Sequence, residues 1–186
     1  MNVTKKDALY FTRIILILLV ITMCVASLLA IVNELTKDKI AENDQKTLNR
    51  AVSALFPSAT DPKTEKLDVS IKDDTFMELC KVTDGENTVG YYAKVAPKGF
   101  KGAVVMLVGI SLDGTVCGIE IVSSGETPGI GDKIENKSFL GKFTGKNKNT
   151  LDVDTISGAT YSSKAVINGT KTALMAYAEY IKEANV

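Results

Sequence analysis

Residues 14–32, "IILILLVITMCVASLLAIV", hold no charged side chain, and this run constrains the fold more than any other stretch. As a helix, its 19 residues rise about 28 Å, enough to cross the apolar core of a bilayer. A cleavable leader has a shorter apolar region, about 7–15 residues, whereas this run continues past the small-x-small "VAS" at residues 25–27. A lipoprotein anchor places a small residue before its cysteine, and here Met23 precedes Cys24. The run therefore reads as an uncleaved transmembrane helix in a lipid bilayer. Lys5, Lys6 and Arg13 precede it against the single acid Asp7, while Glu34, Lys37, Asp38 and Lys39 follow it and cancel. The positive-inside rule then expects the N-terminus in the cytoplasm and the rest outside. Ala26 and Ala30 form a small-xxx-small pair that would let another helix approach, although ordinary apolar composition produces the same pattern.

Beyond residue 32 the chain carries 19 basic and 21 acidic residues. With no basic field and no aromatic-basic interleaving, nothing argues for nucleic acid as a partner. The absence of histidine excludes Ser-His-Asp and Cys-His nucleophile systems and histidine ligation of zinc or haem. Cys24, Cys80 and Cys117 lie far apart without a CxxC pair, so the chain alone holds neither a four-cysteine iron–sulfur cluster nor a c-type haem. Cys80 and Cys117 sit in apolar strand-like contexts and read as buried free thiols, with a disulfide outside the cell as the alternative. Any redox work requires an organic cofactor.

Residues 34–56 show an imperfect helical stripe of Ile40, Leu48, Val52, Leu55 and Phe56, stopped by Pro57. The polar stretch 57–66 reads as a loop. Strand patterns follow at 76–82, 89–95, 104–110 and 116–122, the last two joined by "SLDGT", whose Asp113-Gly114 pair marks a hairpin. From Tyr161 to about Lys182, apolar residues recur at helical spacing. The expected class is α+β: a transmembrane helix, then an antiparallel sheet with flanking helices. Expected boundaries are a cytoplasmic N-terminus at 1–13, the membrane helix at 14–32, a helical connector and loop at 33–66, and an extracytoplasmic domain at 67–186.

Three glycine-marked loops are candidates for one site. In "KGFKGAVV", Gly99 and Gly102 bracket Phe100 and Lys101 before a strand, which a tight turn also explains. In "ETPGIG", residues 126–131, two glycines and a proline would let the backbone approach a flat ligand, though strand-to-helix turns often look the same. In "DTISGATYSS", Gly158 and Ala159 leave a helix N-terminus open, and Ser157, Thr160, Ser162 and Ser163 offer hydroxyls to a phosphate. A capped helix, with Ser162 or Thr160 as the cap, accounts for one of those hydroxyls.

The run Asp154-Thr155-Ile156-Ser157-Gly158-Ala159-Thr160 resembles the flavinylation motif of FMN-binding domains in the Rnf and Nqr respiratory complexes. "GFKGAVVMLVGISLDGTVCGIEIVSSGETPGIG" is similar to the G subunits of Rnf complexes, and the likeness covers nearly the whole chain. The resemblance implies FMN joined by a phosphoester to Thr160, installed by a flavin transferase, with Asp154, Ser157, Gly158 and Ala159 as its recognised surround. It further implies that the loop carrying Glu126, Thr127, Pro128, Gly129 and Gly131 lines the flavin. Thr127 would be the foremost side-chain contact, and Ser162 and Ser163 would bond the phosphate or cap the helix. No residue is expected to be catalytic in its own right, and none to hold a metal. The implied function is an electron relay in an ion-translocating ferredoxin:NAD oxidoreductase of a bacterial cytoplasmic membrane, with other membrane and peripheral subunits as partners. The alternatives are the C-type member of a sodium-translocating NADH:quinone oxidoreductase (Nqr) and a cofactor-free, membrane-anchored binding or assembly module.

Overall fold

The first glycine or proline of the chain is Pro57, so nothing before it breaks a helix. A computed structural model, which describes residues 5–69 and 71–184, accordingly shows one continuous helix, α1, over Lys5–Leu55. The expected membrane helix and the helix expected at 34–56 belong to one continuous helical segment. The chain forms two compact units, Met1–Lys46 and Thr47–Val186.

In the first unit, none of the apolar window of α1 is covered by the rest of the chain, which separates it from the core helix of a soluble domain. Among the described residues it is the one helix long and apolar enough to cross a membrane. Past the apolar stretch, Glu34–Lys37, Lys39–Glu42 and Glu42–Lys46 form exposed ion pairs one turn apart. Such exposed, solvent-screened pairs favour helix locally but do not fix a tertiary position.

In the second unit, an antiparallel meander runs in the order β1 (Pro62–Leu67), β2 (Phe76–Asp84), β3 (Asn87–Val95), β4 (Val104–Ile110) and β5 (Val116–Ser124). The strands expected from alternation all form, and the Asp113-Gly114 hairpin closes between Ser111 and Thr115 with Gly114 at φ +80°. Against expectation, the polar stretch 57–66 contributes β1. This edge strand is largely wet on both faces, so it shows no alternation, and its place comes from main-chain pairing to β2 and an ion pair between exposed Lys66 and half-buried Glu78. The boundary drawn at residue 66 thus falls within β1, and the compact unit already includes the last turns of α1.

One face of the sheet is covered by Ala51, Val52, Leu55 and Phe56, which pack on Cys80, Val82, Tyr92 and Leu107. The other face takes α3 (Thr160–Ala184), with Ala165, Val166, Ala173 and Leu174 on Val95, Met106 and Val108. Between β5 and α3 lie the short helix α2 (Lys137–Leu140) and 3-10 turns at Gly131–Glu135 and Gly141–Phe143. They insert Ile134, Phe139 and Phe143 into the same core. Burying a side chain such as Val166 or Leu174 contributes about 1.5–3 kcal/mol, so packing rather than surface pairing holds α3.

Cys80 on β2 and Cys117 on β5 are free thiols three strand spacings apart. At about 4.8 Å per spacing that is roughly 14 Å, twice what a disulfide can span. Burial pushes both thiols above their ordinary pKa, Cys117 to about 11.

Gly169 marks where α3 lies closest to the sheet. A Cβ there would press on the Met106 methyl, and would sit 2.8 Å from Pro97 Cγ and 3.1 Å from Val95 Cγ2. Replacing a helix glycine by alanine ordinarily adds about 0.5–1 kcal/mol. Here Gly169→Ala is expected to lower stability by about 1–3 kcal/mol, as overpacking does. Urea unfolding of the full chain in detergent measures it, and a stabilised variant would contradict this packing.

Candidate functional site

Three chain segments that are distant in sequence converge on one carboxylate. The first is the loop 99–102, pinched off by the Lys98–Ala103 bridge and closed by Gly99 N–H donating to Gly102 O at 2.7 Å. The second is the segment 125–131 leaving β5, folded back by Ile130 and Gly131 N–H groups donating to Thr127 O at 3.2 and 2.9 Å. The third is the turn 156–159 and the first turn of α3. Gly158, at φ +80°, is the third residue of a turn in which Ala159 N–H donates to Ile156 O, a position that glycine fills without strain.

Glu126 joins them. It is buried, 8% exposed, yet among the described residues no charged side chain is paired with it. Lys101 N–H donates to Oε1 at 3.1 Å, the Phe100 and Gly102 N–H groups also face the carboxylate, and Ser162 Oγ donates to Oε2 at 2.5 Å. Burial alone raises the carboxyl pKa, but these donors outweigh it and hold the group below the usual glutamate value, hence ionised. Two glycines exist around this side chain. A Cβ at Gly99 would collide with Oε1, and one at Gly131 would lie 2.6 Å from Oε2 and 3.0 Å from Ser162 Oγ. Both glycines therefore make room for a buried side chain of the protein itself.

Above this junction opens a cavity of about 270 Å3, lined by Phe100, Glu126, Thr127, Ile130, Gly131 and residues 158–162. That is near the lower bound for ligand pockets, about 300–1,000 Å3, and suits part of a ligand with the remainder at the surface. Its rim is apolar and outward-facing: Phe100 and Tyr161 are each 70% exposed and Ile130 52%. Its floor carries the start of α3. The N–H groups of Thr160, Tyr161 and Ser162 precede the first helical bond, from Ser163 N–H to Ala159 O at 2.9 Å. These free donors and the dipole of a 25-residue helix favour an anionic group there.

Of the twelve residues expected at the site, Glu126, Thr127, Gly131, Gly158, Ala159, Thr160 and Ser162 line the cavity. Asp154, Ser157, Pro128 and Gly129 are exposed outside the lining. Ser163 is fully buried, and its Oγ accepts Ile156 N–H at 3.0 Å, tying the turn to the helix. Neither Thr160 nor Ser162 caps the helix: Thr160 is its first residue, and the Ser162 hydroxyl is committed to Glu126. Thr160 is the one aliphatic hydroxyl of the lining that is itself exposed. Phe100, Ile130 and Tyr161 carried no sequence signal as site residues. Each stands beside a glycine-rich or small-residue run, where a single apolar side chain reads equally well as core.

The depressed carboxyl links stability to pH. Its contribution is complete above the unfolded pKa of about 4.3 and disappears as pH falls through the lower folded value. Thermal melts of the wild type and Glu126→Gln from about pH 6 to about pH 3 are expected to converge as the pH falls. A gap that stays constant would contradict an ionised Glu126 in the fold.

A family profile for the FMN-binding domain matches residues 99–175, and one for the RnfG N-terminal region matches residues 16–55. The chain is 33% identical to the G subunit of the Na(+)-translocating ferredoxin:NAD(+) oxidoreductase complex of Acetobacterium woodii, over 87% of this chain and 89% of that one. It is 30% identical to the G subunit of the ion-translocating oxidoreductase complex of Vibrio atlanticus, over 100% and 93%, and 31% identical to that of Methanosarcina acetivorans, over 91% and 95%. Among solved structures, the C subunit of the Na(+)-translocating NADH-quinone reductase of Parabacteroides distasonis aligns at a TM-score of 0.46 and 23% identity, over 56% of this chain and 62% of that one. The chain belongs to the family of G subunits of ion-translocating oxidoreductase complexes.

Proposed function

We propose that this protein is a membrane-anchored electron-relay subunit of a ferredoxin:NAD oxidoreductase complex, carrying FMN as a phosphoester on Thr160. The observation that carries this reading is the placement of the Thr160 hydroxyl: exposed, at the first position of α3, on the wall of the cavity where the three glycine-marked loops meet. The donor set fits the group. The free N–H groups at residues 160–162 suit a phosphate bonded to Thr160, and the rim of Phe100, Ile130 and Tyr161 suits a flat apolar ring. When bound, FMN supplies the capacity to accept and release electrons that the side chains lack. Among the described residues no cluster of three or more histidine, cysteine or acidic side chains could hold a metal ion.

Each part of the chain then has a task. The apolar stretch of α1 anchors the protein to the bacterial cytoplasmic membrane, with the positive flank at residues 5–13 inside and the domain outside. Thr160 would hold the cofactor by its oxygen: its O–H bond would break and an O–P bond form as the phosphate of the transferase's flavin nucleotide donor released its other substituent with the proton, so that the chain would gain FMN less one water. A covalent tether suits an extracytoplasmic domain, where a dissociated flavin would be lost by dilution. The small residues Gly158 and Ala159 leave the hydroxyl reachable by a flavin transferase. The remaining subunits of the complex supply the donor and acceptor on either side of the relay.

Expression beside a flavin transferase, followed by a denaturing gel under ultraviolet light, tests the assignment. The wild-type band is expected to fluoresce and Thr160→Ala to be dark. A fluorescent Thr160→Ala band would move the attachment elsewhere. A dark wild type beside a labelled control flavoprotein would remove covalent flavin altogether.

A further inference from the structure

The two most exposed aromatic rings of the second unit, Phe100 and Tyr161, both stand on the rim of the Thr160 cavity. Their centroids are 6.0 Å apart and their planes are inclined by 47°. A lone exposed aromatic side chain is unremarkable, but two that converge beside an exposed Ile130 around one opening form an apolar patch that calls for a partner. The rings come from segments about 60 residues apart in sequence, and one side chain fastens both segments. Glu126 Oε1 accepts the N–H next to Phe100 in the loop 99–102, while Oε2 accepts the hydroxyl of Ser162, next to Tyr161.

We infer that Phe100 and Tyr161 form an aromatic screen over the ring of the Thr160-linked flavin, and that Glu126 is the positioning residue that holds the two halves of the screen together. This rests on the flavin reading of the same cavity. The screen has a physical rationale in a relay: it covers an otherwise wet cofactor with apolar surface while leaving the ring near the protein surface, where a partner carrier can approach. Thr160 and Tyr161 are adjacent, so the attachment point and one half of the screen turn together with the first turn of α3. The loop 99–102 has no such covalent link to the attachment point. The Lys98–Ala103 bridge fixes its base, the Glu126 bonds tie its tip to the start of α3, and Gly99 and Gly131 leave the carboxylate the space that a Cβ would take.

The test uses the full chain in detergent, labelled by co-expression with a flavin transferase and checked by intact mass for one FMN. The readout is quenching of the flavin emission by iodide in the folded and the denatured protein. The folded wild type is expected to be protected relative to its denatured form. Phe100→Ala and Tyr161→Ala are expected to raise the iodide quenching constant by roughly twofold, since an aromatic side chain provides about 150–250 Å2 of cover. Glu126→Ala should do the same with both rings still present, whereas Glu126→Gln should stay close to the wild type. Its amide oxygen accepts from Lys101 N–H and its amide nitrogen donates to Ser162 Oγ, which reverses its role. Ser162→Ala cuts only one of the two links and serves if Glu126→Ala fails to fold, with a smaller rise expected. Loaded Phe100→Ala and Tyr161→Ala proteins that quench like the wild type would overturn the screen. A loaded Glu126→Ala or Ser162→Ala protein that quenches like the wild type would overturn the positioning role. A wild-type chain without added mass would instead overturn the flavin reading itself.

Discussion

A buried carboxylate with no cationic partner among the described residues organises this site. Partial burial disfavours an ionised Glu126, and donors that come to it offset that cost. They come from the loop 99–102 and from Ser162 at the start of α3, while the glycine at 131 clears the third side. The same requirement that makes the group costly to bury makes it a well-defined junction, because main-chain N–H groups bond a carboxylate only over a narrow range of distances. The cavity above it is the space left where those segments meet. Thr160, the apolar rim and the helix N-terminus are therefore brought together at one junction rather than by three independent loops.

The surrounding layers explain why so small a junction is rigid. Behind it, α3 is seated on the sheet through Ala165, Val166 and Ala173, with Gly169 permitting the close approach. The short helix and 3-10 turns that follow Gly131 drive Ile134, Phe139 and Phe143 into the same core, so the loop carrying Glu126 is anchored on its far side too. On the opposite face of the sheet, the end of α1 contributes Val52, Leu55 and Phe56. A single helix thus supplies both an apolar stretch long enough to cross a membrane and, at its end, part of the core of the second unit.

What could be read in the amino-acid sequence follows from what leaves a periodic or compositional trace. The uncharged run, the four alternating strands, the hairpin at Asp113-Gly114 and the helix after Thr160 all do. β1 does not, because an edge strand largely wet on both faces has no reason to alternate. The helix expected at 34–56 is real, but only the absence of glycine and proline before Pro57 shows that it continues from the apolar run. At the site, the three glycine-marked loops meet at one cavity. The purpose of two glycines leaves no trace in the sequence. A tight turn accounts for Gly99 and a close approach of backbone to a flat ligand for Gly131, yet both clear space for Glu126, whose bonds reach 25 positions back to Lys101 and 36 positions on to Ser162. Ser162 and Ser163 were candidates for phosphate, yet one is bonded to that carboxylate and the other to Ile156 N–H, contacts that no local pattern encodes.

Among the aliphatic hydroxyls of the motif, Thr160 is the exposed one on the cavity lining, and the proposed relay rests on its attachment to flavin. Peptide mapping tests this most directly. Tryptic cleavage of the flavin-loaded chain releases residues 149–164, which contain every hydroxyl of the motif in one fragment. Fragmentation of that peptide should place the whole FMN mass on Thr160 and none on Thr155, Ser157, Ser162 or Ser163. FMN on Ser162 or Ser163 would mean that a hydroxyl bonded inside the protein had been released to react, and would contradict the arrangement around Glu126.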